Sequence, residues 1–548
     1  MKHALILSAS ALVLMACNND TAGGETAATP VDEATALSAL EALHLAESGQ
    51  GAVSWEERTF DNGVFTFTGL TFVMYEDDAD TPDEDGEEGE SLDVDFETNS
   101  FTAETMTVTS PRFDEAGNVI FNAIAMNGIT LGADDEDFTG TIGRFTVEEP
   151  NSQLVMAFAD GFSGEPVDED EIENDEWRYG LFAIEDLAFS GTEDGNEFSA
   201  GFGTLSITDL GDYSIGQFVL SDLLIDGTDD EVGRIHFALE EVSADGIGEA
   251  MTYPFVAQFA MLGAAFEADV PNEDIDADIP DLPEDFDPLD SYDNITVRGL
   301  DVNVGGVMVT LDSLRAWSEE RGGDLVYTSE MTPLTVAPDT NFPLGAQMAL
   351  GLGMLGYQQL EFVSAGATVY DRDADRAYTE GDNYFEMTDG FRVEVESDVS
   401  GIMAYTMNAL SMTTAMDEPD TEQVMEMLEP LVLSRFVFRL EDLSLLDRAL
   451  TAASAAQGMP KEQLRMQAGG LIMMATMGAP AEIPRPLLTQ FSTAMSSFIA
   501  EGGSVEVRIE PETPVSVGAL VGQAEAGTLD LDAMGITIAA IPPETSGE

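Results

Sequence analysis

An eight-residue alternation of hydrophobic and polar positions recurs along the chain. Its first, third, sixth and eighth positions are apolar, and its fifth is small or polar. It reads FTFTGLTF from Phe65, IAMNGITL from Ile124, FAIEDLAF from Phe182, FVLSDLLI from Phe218, ITVRGLDV from Ile295, YTMNALSM from Tyr405 and FRLEDLSL from Phe438, with looser versions from Leu205, Phe237 and Val309. A period of two predicts β-strands. Because the apolar set changes phase at the fifth position, we expect a β-bulge or a kink there.

Longer apolar segments between these units predict helices. Three runs rich in Met, Gly and Ala cover 254–266, 343–357 and 465–479, and we interpret them as helices packed on the sheet. The alternative is a flexible Met-rich surface that accepts hydrophobic ligands. Helices are also predicted at 34–48, 421–433, 445–458, 460–478 and 485–500, and further strands at 504–511 and 529–540. The predicted fold is mainly β with a helical C-terminal portion, a long curved antiparallel sheet built from repeated strand units with helices packed on it.

Composition divides the chain into segments. An acidic, Pro-rich stretch at 267–290 is the best candidate for a linker between two halves. We expect a signal peptide at 1–16, a tether at 17–33, an N-terminal β-rich half at 34–266, a C-terminal half of strands and helices at 291–541, and a tail at 542–548.

The N-terminus has the features of an export signal. Lys2 precedes an apolar stretch that is too short to span a bilayer as a helix. The sequence Leu14-Met15-Ala16-Cys17 resembles the lipobox of bacterial lipoproteins. That resemblance implies cleavage between Ala16 and Cys17 and a lipid joined to the Cys17 sulfur. The alternative is an ordinary secretory signal with a chance cysteine.

The cysteine and the residue after it bear on chemistry and location. Cys17 is the only cysteine, so its lipidation would leave no thiol for disulfides or metal binding. Asn18 stands where some inner-membrane lipoproteins carry an Asp, which favours the outer membrane. We therefore expect a protein of the cell envelope, anchored by lipid to the outer membrane and facing the periplasm.

The chain is strongly acidic. It has 106 Asp and Glu against 19 Lys and Arg, for a formal charge of −87. Such a chain repels phosphate backbones and anionic lipid surfaces, which excludes nucleic acid as a partner. The acid is concentrated in 76–97, 165–176 and 267–290, which we interpret as solvated loops. Binding of divalent cations by these loops is the alternative.

Residues that carry catalysis are scarce. The mature chain would hold only His44, expected on the first helix, and His236, expected on a strand facing solvent or a neighbouring strand. No GxSxG, HExxH or GxxxxGK[ST] motif is present. Paired carboxylates could support glycoside hydrolysis, but no local signature nominates a pair. We therefore predict a protein that is not an enzyme, with no catalytic residue and no cofactor beyond weakly bound divalent cations.

One segment has the spacing of a calcium loop. The acidic residues Asp371, Asp373 and Asp375 stand at the first, third and fifth positions of an EF-hand-like stretch that ends at Asp382. Arg376 replaces the turn glycine, and Asp382 replaces the final Glu. Because both flanks have strand alternation, we interpret the segment as a β-hairpin turn, and these four residues remain weak metal candidates.

The strand repeats, the signal and the scarcity of catalytic motifs together resemble large β-rich envelope proteins of Gram-negative bacteria, namely the AsmA-like and YdgA-like groups. The AsmA-like proteins are thought to hold lipid chains in a groove of curved sheet. The resemblance implies a protein that binds or transfers lipid or another hydrophobic molecule. The alternatives are a structural or assembly protein of the envelope without a ligand and, more remotely, a hydrolase of envelope polymers.

Overall fold

The computed structural model describes two units, which divide between Thr252 and Tyr253. The described residues are 31–73, 100–131, 138–164, 178–193, 196–211, 213–229, 233–253, 286–289, 291–413, 421–478, 483–526, 528 and 530–543. Most of the predicted linker 267–290, the run 254–266 and all of 1–30 lie outside these residues. Within them, no helix is both long and apolar enough to cross a membrane.

The first unit is an antiparallel meander. Its strands are β1 (Val53–Ser54), β2 (Glu57–Asp61), β3 (Val64–Val73), β4 (Ser100–Thr109), β5 (Arg112–Phe113), β6 (Val119–Ile120), β7 (Ala123–Leu131), β8 (Phe138–Glu148), β9 (Tyr179–Glu193), β10 (Asn196–Leu210), β11 (Ile215–Asp229) and β12 (Gly233–Ile247). Pairing runs from β2 through β3, β4, β7, β8, β9, β10 and β11 to β12, while β1 also pairs with β3. β5 and β6 form a separate two-stranded sheet.

The fifth position of the sequence repeat is a kink. Gly69, Gly128, Asp186 and Asp222 have left-handed φ values of 61°, 61°, 54° and 54°. Around Gly69, Thr68 pairs with Thr105 and Leu70 with Ala103, so the register is the same on both sides. Buried side chains nevertheless change phase there, from Phe65 and Phe67 to Leu70 and Phe72. The predicted kink is therefore confirmed, but it is not a bulge, because no residue is inserted.

These kinks align across the strands in two rows. The first row contains Gly69, Glu104, Gly128, Gly143, Asp186, Gly203, Asp222 and Glu240. The second row lies six residues away from the first along each of these eight chain segments, within the strand or one residue beyond its end. It contains Gly63, Ser110, Asn122, Glu149, Gly180, Asp209, Gly216 and Gly246. Each left-handed Asp of these rows faces a Gly on at least one side, and a Cβ on Gly143 would lie 2.8 Å from Cβ of Asp186.

Two helices close the core of this unit. Helices α1 (Glu33–Ala42) and α2 (Ser152–Ser163) contribute buried Leu40 and Val155. These residues belong to the same hydrophobic cluster as the fully buried Phe67 of β3. Trp55 meets Phe67 edge to face with ring centroids 5.1 Å apart. The face of β3, β4 and β7 that carries these apolar side chains is therefore shielded from solvent.

The second unit is also antiparallel. Its strands are β13 (Asn294–Val304), β14 (Val307–Arg321), β15 (Asp324–Pro338), β16 (Leu360–Asp371), β17 (Arg376–Thr379), β18 (Tyr384–Met387), β19 (Phe391–Ser400), β20 (Val432–Asp442), β21 (Gly503–Ile509), β22 (Val515–Ser516) and β23 (Thr537–Ile541). Its helices are α3 (Pro343–Met354), α4 (Ile402–Thr413), α5 (Thr421–Leu428), α6 (Leu445–Gln457), α7 (Lys461–Met477), α8 (Arg485–Glu501) and α9 (Val517–Glu525). Thus the predicted fold class, mainly β with helices in the C-terminal part, is confirmed.

Some local predictions were wrong. The repeat from Tyr405 lies in α4, because Met, Ala and Leu favour helix and Gly401, at a φ of 82°, ends the preceding strand. The repeat from Phe438 is a strand only to Asp442, whose carboxylate accepts the Leu446 amide at the start of α6. The first predicted helix ends early, so His44 lies beyond α1 with a left-handed φ of 55°. Of the predicted strand 529–540, residues 530–536 are not in a strand and the part from Thr537 is.

Candidate hydrophobic-ligand surface

The strands of the second unit separate apolar from charged side chains. In β19, Val393 and Val395 alternate with Arg392, Glu394 and Glu396. Cross-strand partners keep the separation, since Val395 faces Phe438 of β20, and Phe438 faces Val507 of β21. The sheet of this unit therefore has one apolar face and one charged face.

The apolar face is only half-buried. We call it the open apolar face and define it by Leu300 and Val302 of β13, Leu314 of β14, Met331 and Leu334 of β15, Phe362 of β16, Phe385 of β18, Phe391, Val393 and Val395 of β19, Phe436, Phe438 and Leu440 of β20, and Val507 and Ile509 of β21. These side chains are partly accessible, and Phe385 is 40% exposed, whereas Leu311, Met387 and Val505 on the same face are buried. A partly accessible apolar surface of this extent is uncommon on a soluble domain unless something binds to it.

Helices cover part of this face, since Phe362 and Phe391 pack against a small buried cluster. The C-terminal part of α3 contributes Leu352 to a small cluster with Tyr357 and Met387. Helix α8 contacts the edge strand β23, where the Gln490 side-chain oxygen accepts the Ile538 amide at 3.0 Å. The run 343–357 is therefore a helix near the sheet, as predicted, whereas the run 465–479 lies in α7, which contacts α6 and α8.

The charged face is an ion-pair network. Arg439 joins Glu394 at 3.0 Å to Glu506 at 2.8 Å, and Glu506 also binds Arg508 at 2.9 Å. Burial raises the pKa of Glu506, but hydrogen bonds from the two arginines outweigh it and hold that pKa below its ordinary value. The hydrogen bond to Glu506 raises the pKa of Arg439. These charges neutralise one another, so the network favours a structural role over anion binding.

Sequence reasoning missed this network. A detectable signal was the placement of opposite charges two residues apart, as in Arg392 and Glu394 or Glu506 and Arg508. In a strand, such residues share a face. In a chain this poor in basic residues, that spacing could have marked the charged face.

The first part of the calcium-like segment forms the turn between β16 and β17, so the hairpin interpretation is confirmed, and Asp382 lies beyond β17. Asp371 accepts the Ala374 amide at 2.9 Å, and Asp375 accepts the Tyr370 hydroxyl at 3.0 Å. Burial, then the bond to Asp375, raises the pKa of Tyr370 to about 12. Asp373 and Asp382 are exposed. Among the described residues, no three acidic, His or Cys side chains are grouped as a metal site would need.

A polar cavity lies on the sheet of the first unit. It has a volume of about 750 Å³ and is lined in part by Thr139, Ser190, Ser199 and Asp226, which are successive cross-strand partners. Asp226 also faces His236, whose Nδ1 lies 2.8 Å from its carboxylate. The hydrogen bond from His236, then that from Arg234, lowers the pKa of Asp226.

His236 thus contacts a neighbouring strand, as predicted. Ser199 and His236 lie on opposite sides of Asp226, two strand spacings or roughly 10 Å apart. This order does not bring a hydroxyl nucleophile against an imidazole base, which a Ser-His-Asp triad requires. The predicted lipidation and cleavage residues, Cys17 and Ala16, lie outside the described residues.

Comparison with known proteins gives a partial match. A family model described only as "Uncharacterized protein" matches residues 384–541. A search of curated proteins found no match. The matched segment runs from β18 to β23 and contains much of the open apolar face, the ion-pair network and helices α4 to α9.

Proposed function

We propose that this protein is a lipid-anchored envelope protein, held through Cys17, that binds or transfers lipid or another hydrophobic molecule without catalysing a reaction. The observation that carries the proposal is the open apolar face of the second unit. Side chains there are as apolar as those in the core of the first unit, yet they remain accessible. A bound acyl chain would remove them from water, at about 25 cal/mol per Å² of apolar surface buried.

The experiment is native mass spectrometry of the full chain carrying Cys17→Ala, purified without detergent and then incubated with phospholipid vesicles. We expect added masses that match whole phospholipids. Two substitutions, Leu334→Asn and Val395→Asn, place polar groups on the open apolar face. They should abolish the added lipid masses. Both positions are already half-exposed, so the folded state should tolerate the changes.

The matched control is Thr335→Asn, which changes the next residue of β15 on the opposite face of the sheet. It should leave lipid uptake unchanged. A mass without lipid in every sample would overturn the proposal and favour a structural or assembly protein of the envelope. Equal loss of lipid in Thr335→Asn would place the binding surface elsewhere.

A further inference from the structure

Helix α7 exposes an apolar stripe to solvent. Met466, Gly470, Met473, Met474 and Met477 follow the spacing of one helix face. The four methionines are 60 to 70% exposed, and Leu471 beside them is 66% exposed. Of the side chains of α7, only Leu464 is buried. A helix of a soluble protein normally turns such a row of apolar side chains inward.

The stripe is free of charge in a chain that is otherwise densely charged. No charged residue stands between Arg465 and Glu482, although the whole chain has a formal charge of −87. At the start of α7, Lys461 Nζ lies 2.8 Å from a carboxylate oxygen of Asp447 in α6, and Arg465 also approaches Asp447 at 3.5 Å. Both cations are therefore engaged at the base of the helix, and its remainder presents a neutral, apolar surface.

The size and charge of this surface indicate what can cover it. A helix of 17 residues is about 25 Å long and about 10 Å wide, which gives roughly 250 Å². Stable protein interfaces bury about 800 Å² on each partner. Two copies of so acidic a chain would also repel each other. Binding to a lipid bilayer has no such minimum area, because its strength scales with the apolar surface inserted, and a surface of this size supports reversible docking.

We infer that α7 is an interfacial helix that docks on the surface of a zwitterionic bilayer through Met466, Leu471, Met473, Met474 and Met477. An anionic bilayer would repel the acidic chain. Methionine suits this role because its flexible, polarizable side chain adapts to an irregular environment. The contact is separate from the open apolar face and does not depend on lipid binding there.

The test is flotation of the full chain carrying Cys17→Ala with phosphatidylcholine vesicles. We expect the chain to float, and the added pair Met473→Asp and Met474→Asp to reduce the bound fraction at least about tenfold. The matched control is Thr489→Asp with Thr493→Asp, which adds the same charge at exposed positions of the neighbouring helix α8. It should float like the parent chain.

A second measurement locates the contact. With Cys17 replaced, the chain has no cysteine, so Met474→Cys and Thr493→Cys each accept one environment-sensitive fluorophore. Vesicles should shift the emission of the label at 474 to the blue and leave the label at 493 unchanged. Equal shifts at both sites, or no flotation of the parent, would overturn the inference. So would a dimer in solution that the two aspartates dissociate.

Two further comparisons separate this inference from the proposed function. Leu334→Asn with Val395→Asn should float normally, because these positions lie on the sheet. Conversely, the α7 aspartates should leave the uptake of a soluble fluorescent fatty acid unchanged. Flotation lost through the sheet substitutions alone would show that vesicle binding is lipid capture, and it would overturn docking by α7.

Discussion

The same alternation of residues ends in two different environments in the two units. In β3, Phe65 and Phe67 pack beneath helices and are buried. In β20, Phe436 and Phe438 alternate in the same way but remain half-exposed, and none of the described helices buries them. The difference teaches that alternation specifies which face of a strand is apolar, whereas the connecting segments decide whether that face is closed.

The largest expected effect contrasts the two environments directly. Phe67→Ala should destabilise the first unit by about 3–5 kcal/mol, because it opens a cavity in a closed core. Phe438→Ala, on the open apolar face, should cost about half of that or less, because solvent or ligand can occupy the space. Amide hydrogen exchange in β3–β4 and in β20–β21 would measure the two losses separately. Equal losses would contradict the contrast.

The next effect concerns the charged face of the second unit. Glu506→Gln should cost about 1–3 kcal/mol near neutral pH, because it weakens hydrogen bonds from two arginines. The pKa of Glu506 is below its ordinary value of 4.5 in the folded state, so the folded chain holds its proton less tightly than the unfolded chain. Its contribution is therefore complete above about pH 4.5 and declines as the pH falls further.

Urea unfolding of the parent and Glu506→Gln between pH 7 and pH 3 would measure this contribution. The two stabilities should converge as the pH falls. Glu512→Gln, which removes an exposed glutamate after β21, controls for the loss of one charge and should not show the convergence. A constant difference at every pH would contradict the assignment.

A smaller effect tests the kinked rows. Gly69→Ala should cost about 1–2 kcal/mol for the left-handed backbone. The total loss in the free energy of unfolding should be somewhat larger than this backbone cost, because the new Cβ would lie 2.7 Å from the flexible Glu56 side chain. Gly322 has a φ of 73°, and a Cβ added there would have no neighbouring atom within 4 Å. Gly322→Ala should therefore show the backbone cost alone. Thermal unfolding of both variants measures the difference, and a larger loss for Gly322→Ala would argue against the row as a packed feature.

The smallest effect separates exposed from networked ion pairs. Arg321 and Glu380 lie 2.6 Å apart, but both side chains are about half-exposed. Arg321→Ala should therefore leave the free energy of unfolding almost unchanged. Arg439→Ala, which removes the bridge between Glu394 and Glu506, should cost clearly more. Urea titrations of the two variants provide the comparison, and a reversed order would contradict it.

Much of the fold could be predicted from local pattern. The strand repeats at Phe65, Ile124, Phe182, Phe218 and Ile295 all lie in strands, because apolar alternation and β-favouring residues agree there. The kinks are predictable because the phase of the apolar set changes within one strand. At Tyr405 the pattern failed, since its apolar positions also fit a helix and the preceding glycine decided the outcome.

The candidate site could be predicted only in outline. The apolar residues of β19 and β20 are visible in the sequence, but their exposure depends on where distant helices pack. The Met-rich run at 465–479 is predicted to lie on the sheet, whereas its exposure results from the packing of α7 against α6 and α8. Such placement depends on long-range contacts, which a local pattern does not encode.

The constant interval of six residues between the two kinked rows limits how this architecture can change in evolution. A single-residue insertion between the rows would move one kink out of line and turn the following side chains to the wrong face. Loops between strands, by contrast, can lengthen without disturbing either row. We therefore expect related chains to differ in whole strand pairs and in loop length, while the interval between the rows stays fixed.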